Sequence, residues 1–138
     1  MPRVSGHPGR ILVIEDDAWI RTFLRDVLTD EGYAVIEAAD GKTGLRLAVE
    51  EPPDVVLLDL AMPEITGMDV LHALKRIPRT SAIPVLILSA YAAVLAPTDA
   101  ESVAGVHTKP LDVATLLAAI RDALGPDEPR GCGASLRS

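Results

Sequence analysis

The stretch VVLLDLAMP, Val55 to Pro63, decides the fold that we predict for this chain. Its first apolar residues run directly into Asp59, and further apolar residues follow that aspartate. A carboxylate among aliphatic side chains costs free energy unless neighbouring groups compensate for it. We therefore ask which other parts of the chain would meet Asp59 in the folded protein.

The composition sets broad limits on the class of protein. The chain has 138 residues, of which 49% are hydrophobic and 3% aromatic, which is typical of one domain with an aliphatic core. The formal net charge of −7 argues against direct binding to nucleic acid. No apolar run reaches the length of a membrane span, and the N-terminus lacks the apolar stretch of a signal peptide. The single cysteine, Cys132, excludes an internal disulfide. We therefore expect a cytoplasmic protein with no membrane partner.

Short apolar runs alternate with helical patterns along the chain. The runs predict strands over residues 11–14, 33–38, 54–59, 83–89 and 106–108. Apolar spacing and end signals predict helices over residues 17–31, 43–50, 68–76 and 112–124. A further helix between the last two strands is the least clear, and it would begin near Pro97. Within the first helix, the apolar repeat includes Phe23, and we assign Trp19 to packing.

This alternation predicts an α/β fold with a five-stranded parallel sheet and helices on both faces. The doubly wound strand order 2-1-3-4-5 would make strands one and three neighbours. We predict a flexible leader over residues 1–9, one domain over residues 10–125 and a disordered tail over residues 126–138.

Acidic and basic side chains stand where the predicted strands end. Glu15 and Asp16 follow strand one, Asp59 ends strand three, Ser89 ends strand four and Lys109 follows strand five. Strand two contributes nothing obvious. The carboxyl ends of parallel strands meet at one edge of the sheet, so these acids would lie close together and repel one another. A hard divalent cation with oxygen ligands would relieve that repulsion, and Mg²⁺ is the natural candidate.

Each of these residues has a simpler interpretation when taken alone. An acid after strand one, Asp17 above all, could only favour the following helix N-terminus. Asp59 could cap its loop, Ser89 could satisfy nearby backbone groups, and Lys109 could be a surface lysine. Their joint placement at one edge favours a functional site.

The ordered segments ILVIEDD, PDVVLLDLAMP with Gly67 behind it, PVLILSA and TKP resemble the receiver domain of two-component response regulators. The resemblance covers residues 10–124 and implies a flavodoxin-like, doubly wound fold. It implies that Asp59 is the phosphoacceptor, with Lys109 and Ser89 beside it. It also implies that Mg²⁺ is bound by Asp16, Asp59 and the main-chain carbonyl of Ala61, and by Glu15 through water.

The resemblance also implies partners. A histidine kinase or histidine phosphotransfer protein would donate the phosphoryl group, and a downstream protein would be the target. The domain could also form a homodimer. The chain would not be an enzyme beyond catalysing its own phosphorylation and dephosphorylation. Two alternatives stand beside this hypothesis. One is a phosphorylation-independent interaction module with the same fold. The other is a phosphatase with an aspartyl-phosphate intermediate, which Ala61 disfavours because such enzymes commonly carry a second Asp there.

The sequence departs from the family pattern at several positions. Val106 stands where receivers usually carry an aromatic residue that follows the switch hydroxyl. The interval from Ser89 to Lys109 is short, so the fourth helix is expected to be short or mobile. Ala61 offers no side chain to orient a water, and Tyr91 could cover the site, which predicts a long-lived phosphoryl group.

Overall fold

Strands and helices alternate throughout the described part of the chain. The structure, a computed structural model, describes residues 9–62, 64–90 and 97–125. The strands are β1 Arg10–Ile14, β2 Ala34–Ala38, β3 Val55–Asp59, β4 Val85–Ser89 and β5 Gly105–Thr108. The helices are α1 Ala18–Asp30, α2 Gly41–Glu50, α3 Gly67–Arg76, α4 Pro97–Ser102 and α5 Val113–Leu124.

The five strands form one parallel sheet in the order β2-β1-β3-β4-β5, which confirms the predicted topology. Residues of β1 alternate between two apolar clusters, with Leu12 and Ile14 in one and Ile11 and Val13 in the other. Helices α2 and α3 contribute to the first cluster, and α1 and α5 contribute to the second. Helices therefore cover both faces of the sheet, as predicted.

Side-chain caps fix where the helices begin. Asp17 accepts hydrogen bonds from the amides of Trp19 and Ile20 at 2.9 and 3.2 Å, so it stabilises the helix N-terminus as its simpler interpretation predicted, and Asp112 accepts one from the Thr115 amide at the start of α5. Helix α2 begins two residues earlier than predicted because Asp40 caps it, accepting from the Thr43 amide at 2.7 Å.

The assignment of Trp19 to packing is wrong. Trp19 is 86% exposed and Phe23 is 45% exposed. Helix α1 covers the sheet with Leu24 and Leu28, which are fully buried, whereas Trp19 and Phe23 line a surface groove with Leu111. Trp19 and Phe23 share a helix face because they are four residues apart. That face does not pack against the sheet.

Some predictions fall on residues outside the described ranges. These include all but the last residue of the leader, the whole tail with Cys132, and Tyr91. The domain limits at residues 10 and 125 therefore remain predictions. Within the described ranges, none of the helices combines the length and the apolar character that crossing a bilayer requires.

Helix α4 is short, as expected. It spans Pro97–Ser102 and has no buried residue. His72 of α3 is partly exposed, and its Nε2 lies 2.9 Å from Oδ1 of Asp99 on α4. This pair ties α4 to α3 across a sequence separation of 27 residues.

We therefore expect Asp99→Ala to loosen α4. The pair should contribute about 0.5–1 kcal/mol, so amide hydrogen exchange in α4 should become about two- to fivefold faster. Glu101→Ala removes a carboxylate from the same helix and should leave exchange unchanged. His72→Asn should reproduce the Asp99→Ala effect, since it breaks the same pair from α3. Equal exchange in the Asp99 and Glu101 variants would show that the pair does not hold the helix.

Candidate functional site

Two buried carboxylates lie side by side at the carboxyl ends of neighbouring strands. Asp59 ends β3 and is 2% exposed, and Glu15 follows β1 and is 0% exposed. The register pairs Ile14 with Leu58, so the residues that follow each of them, Glu15 and Asp59, are neighbours. The Glu15 amide donates to the Ala38 carbonyl at 3.0 Å, which extends the β1–β2 pairing by one residue.

Gly67, the first residue of α3, packs directly against the backbone of Asp59 and Leu60. A Cβ atom at Gly67 would collide with the Asp59 carbonyl oxygen and would come 2.5 Å from Leu60 Cα. The Gly67 amide donates to the Leu60 carbonyl at 3.0 Å, and Thr66 and Asp69 form a capping box on the helix. Glycine is therefore required for α3 to begin directly against the backbone of the buried aspartate.

Asp16 completes an acidic group. Glu15, Asp16 and Asp59 each offer a carboxylate oxygen, and these oxygens all lie within 4.8 Å of one another. Glu15 and Asp59 are buried and Asp16 is exposed. The structure thus brings together the three acids that the sequence placed at this edge. Asp17 is outside the group and caps α1.

Lys109 stands beside the two buried acids. Its Nζ lies 2.9 Å from Glu15 Oε1 and 3.4 Å from Asp59 Oδ1, and its side chain is 17% exposed. Its amide donates to the Ser89 carbonyl at 2.6 Å, which fixes Lys109 to the end of β4. Ser89 is 7% exposed at that end, and Ala61, which is exposed in the loop after β3, donates its amide to Asp59 Oδ1 at 3.2 Å.

The environment changes the proton affinity of this group. Burial, followed by the negative charge of Glu15, raises the pKa of Asp59 from 3.8 to about 7, although Lys109 acts in the opposite direction. Burial by itself lowers the pKa of Lys109, but its interactions with the Glu15 and Asp59 carboxylates raise it overall. Lys109 therefore remains charged, while Asp59 holds a proton more readily than an ordinary aspartate does.

The acidic group fits a hard divalent cation. Glu15 Oε1 is buried and, although Lys109 Nζ lies 2.9 Å away, no donor of the described residues meets it at a hydrogen-bonding angle. Buried carboxylate oxygens rarely lack a hydrogen-bond partner, so an oxygen in this position suits a cation. Carboxylate oxygens and water are the ligands that Mg²⁺ prefers.

Two residues beside the acids, Arg21 and Glu37, are not predicted from the sequence. Arg21 of α1 donates from Nη1 to the Glu15 carbonyl at 2.8 Å, and its Nε lies 3.4 Å from Oε1 of Glu37 on β2. Strand two therefore contributes no side chain to the acidic group, but its Glu37 contacts the arginine that binds the Glu15 carbonyl. The available signal was a glutamate near the end of an otherwise apolar strand, with two arginines on the helix that precedes it.

Comparison with known proteins gives one consistent family. A family model described as the response regulator receiver domain matches residues 11–121. The DNA-binding dual master transcriptional regulator RpaA of Synechocystis sp. is 40% identical over 114 residues, which are 81% of this chain and 47% of that protein. The chain spans about half or less of the length of the first curated relatives it matches.

Solved structures show the same fold. The chemotaxis protein CheY4 of Vibrio cholerae matches with a TM-score of 0.76 and 28% identity, covering 86% of this chain and all of that one. The receiver domain of a sensor histidine kinase from Pseudomonas aeruginosa, solved with a magnesium ion coordinated in its active-site cleft, matches with a TM-score of 0.77. It is 23% identical, with 87% of this chain and all of that chain covered, and at that identity the match concerns the fold alone.

The raised pKa of Asp59 predicts a pH-dependent stability in the absence of metal. Between about pH 4 and pH 7, the folded state binds more protons than the unfolded state, so this contribution is lost as the pH rises through 7. In EDTA, wild type should therefore lose about 1–3 kcal/mol relative to Asp59→Asn between pH 5 and pH 8. Urea unfolding at each pH measures the difference.

Asp26→Asn is the control for this experiment, because Asp26 is an exposed carboxylate on α1. Its pH profile should run parallel to that of wild type. Added Mg²⁺ should reduce the difference between wild type and Asp59→Asn above pH 7, since a cation favours the ionised carboxylates. Parallel profiles for wild type and Asp59→Asn in EDTA would contradict the raised pKa.

Proposed function

Because the chain belongs to the response regulator receiver domain family, we propose that it is a phosphoacceptor switch. In this proposal Asp59 takes a phosphoryl group from a phosphohistidine, and the phosphorylated domain changes its binding to a downstream protein. The observation that carries the proposal is the position of Asp59, which is buried beside Glu15 and 3.4 Å from the Lys109 ammonium.

Asp59 acts as the nucleophile. A carboxylate oxygen of Asp59 forms a bond to phosphorus as the bond between phosphorus and the histidine nitrogen breaks, and that nitrogen leaves with the bonding electron pair. The reacting form of Asp59 is the ionised carboxylate, which a cation bound among the acids would favour over the protonated acid, so the site needs no general base. Phosphoryl transfer depends mainly on in-line positioning and on neutralising the phosphoryl oxygens.

Positive charge at the site meets that second requirement. Lys109 supplies an ammonium that is fixed to the end of β4 through its own amide. Asp16, Asp59 and the main-chain carbonyl of Ala61, with Glu15 through water, are the groups that would hold Mg²⁺. When bound, that ion neutralises negative charge on the phosphoryl oxygens.

Ser89 would report the phosphoryl group to the rest of the domain. It stands at the end of β4, and its carbonyl accepts the hydrogen bond from Lys109. A phosphoryl group on Asp59 adds acceptor oxygens that the Ser89 hydroxyl can donate to. Recruitment of that hydroxyl would pull on Ser89 and, through the hydrogen bond from the Lys109 amide to the Ser89 carbonyl, on the residue that follows β5.

The partners follow from this chemistry. We propose a histidine kinase or histidine phosphotransfer protein as donor, a downstream protein as target, a homodimer as a further assembly and the cytoplasm as location. The net charge of −7 supports a domain that does not contact nucleic acid itself. Residues 10–125 would form the domain, which acts on itself and does not turn over a small substrate.

One observation favours a second candidate, a phosphorylation-independent interaction module. Val106 occupies the position where receivers usually carry an aromatic residue, and it is 39% exposed on β5. A missing aromatic would remove one route by which the switch is relayed. Partner binding that is equal for wild type and Asp59→Asn, with and without a phosphodonor, would favour this candidate.

Incubation with acetyl phosphate and Mg²⁺ tests the proposal directly. Intact-mass analysis should show the gain of one phosphoryl group by wild type and none by Asp59→Asn. EDTA should abolish the gain. Lys109→Gln should slow it at least about tenfold, because it removes at least about 1.4 kcal/mol of charge stabilisation.

Asp17→Asn is the matched control, because Asp17 is adjacent to the acidic group and only caps α1. Asparagine is an equally good cap, so this variant should be phosphorylated like wild type. A wild-type protein that never gains the phosphoryl mass, or an Asp59→Asn variant that gains it at the same rate, would refute the proposal.

The phosphoryl group should be long-lived. Ala61 is exposed beside the nucleophile and has no polar side chain to orient a water towards the acyl phosphate. Removal of acetyl phosphate by desalting, followed by intact-mass analysis over time, measures the decay. We expect the phosphorylated form to persist for minutes or longer, and loss within seconds would contradict this prediction.

A further inference from the structure

A single arginine connects helix α1 to the loop that carries two of the acids. Arg21 Nη1 donates to the Glu15 carbonyl at 2.8 Å and lies 3.5 Å from the Asp16 carbonyl, at the limit of a hydrogen bond. Its side chain is 20% exposed, so most of it is withdrawn from water. The guanidinium therefore binds the backbone from which the Glu15 and Asp16 carboxylates project, and not the carboxylates themselves.

Glu37 holds that guanidinium from the sheet. Its Oε1 lies 3.4 Å from Arg21 Nε, and its Oε2 lies 3.6 Å from Nη1 of Arg25. Glu37 precedes Ala38, whose carbonyl accepts the Glu15 amide at 3.0 Å. The backbone of Glu15 is thus held at its amide by Ala38 directly and at its carbonyl by Glu37 through Arg21. Both restraints lead to β2.

We propose that Arg21, anchored by Glu37, is a positioning residue for the cation site. It fixes the loop so that the Glu15 and Asp16 oxygens stay close to Asp59, and it touches neither the cation nor the phosphoryl group. This inference rests on the proposed function only in taking Mg²⁺ as the cation. Groups that orient metal ligands commonly change metal affinity tenfold or more when they are removed.

Because Arg21 is positively charged, the direction in which its removal changes Mg²⁺ affinity distinguishes a positioning role from a simple charge effect. A guanidinium near a cation site repels the cation, so removing its charge alone would strengthen Mg²⁺ binding. Removing the restraint on the loop would weaken Mg²⁺ binding, because the ligands would have to be ordered when the ion binds. A positioning role and a simple charge effect therefore predict opposite changes in Mg²⁺ affinity for the same substitution.

Arg25 offers a matched control. It lies one helical turn after Arg21, carries the same charge and contacts the same glutamate, but it has no contact with the Glu15 or Asp16 backbone among the described residues. Arg25→Gln should leave the Mg²⁺ dissociation constant within about twofold of wild type. Arg21→Gln should raise that constant about tenfold. Arg21→Lys keeps the charge but loses the fork-shaped donor set, so it should also raise the constant.

Titration calorimetry measures these dissociation constants, and fluorescence of Trp19, the single tryptophan, gives a second readout next to the loop. A cooperative unfolding transition in EDTA shows that each variant is folded. If Arg21→Gln does not fold, Arg21→Lys takes its place in the comparison of Mg²⁺ affinities. Glu37→Gln should weaken Mg²⁺ binding in wild type and have little further effect in Arg21→Gln, since Glu37 acts through Arg21.

Phosphorylation by acetyl phosphate separates this inference from the proposed function. The Arg21 variants should be slow at limiting Mg²⁺ and approach the wild-type rate at saturating Mg²⁺. Mg²⁺ affinity in Arg21→Gln that equals or exceeds that of Arg25→Gln would overturn the inference, as would a wild type that binds no Mg²⁺. A wild type that binds Mg²⁺ but takes up no phosphoryl group would overturn the proposed function and leave the role of Arg21 supported by its affinities.

Discussion

The arrangement of this site depends on two buried carboxylates, Glu15 and Asp59, held side by side with one ammonium between them. Their carboxylate oxygens lie within 4.8 Å of one another, and two like charges at about that distance repel by roughly 3–4 kcal/mol at an effective dielectric constant of 20. The parallel register of β1 and β3 imposes the approach, and Gly67 allows α3 to close against it. The apolar sheet therefore stabilises a group of charges that would not assemble by themselves.

The excess negative charge explains why several ligands would act on the same group. Among the described residues, three carboxylates cluster at the site and one ammonium pairs with two of them, so either a proton on Asp59 or a divalent cation among the acids would relieve the repulsion. A phosphoryl group on Asp59 would add negative charge again, so the site would then need the positive charges of both Lys109 and a cation to compensate. Proton, cation and phosphoryl group are linked through one local charge balance.

Sequence patterns were sufficient where structure is set locally. Apolar runs, helical spacing and an acid at the start of α1, Asp17, predicted the elements, and parallel topology placed the acids at one edge. Periodicity could not show which side of α1 faces the sheet, so Trp19 was assigned to packing although it is exposed. The contact between Arg21 and Glu37 was missed because it joins two elements through side chains that look like ordinary surface charges.

The uneven burial of the sheet indicates which elements would move when Asp59 is phosphorylated. Every residue of β3 and β4 is buried, so these strands have little freedom to move. Strand β5 is at the edge of the sheet with none of its residues buried, and α4 has none either. Lys109 and Ser89 join this weakly packed region to the site through one backbone hydrogen bond. Because α4 and β5 are the described elements without a buried residue, we infer that they would take up the displacement that the fully buried strands cannot.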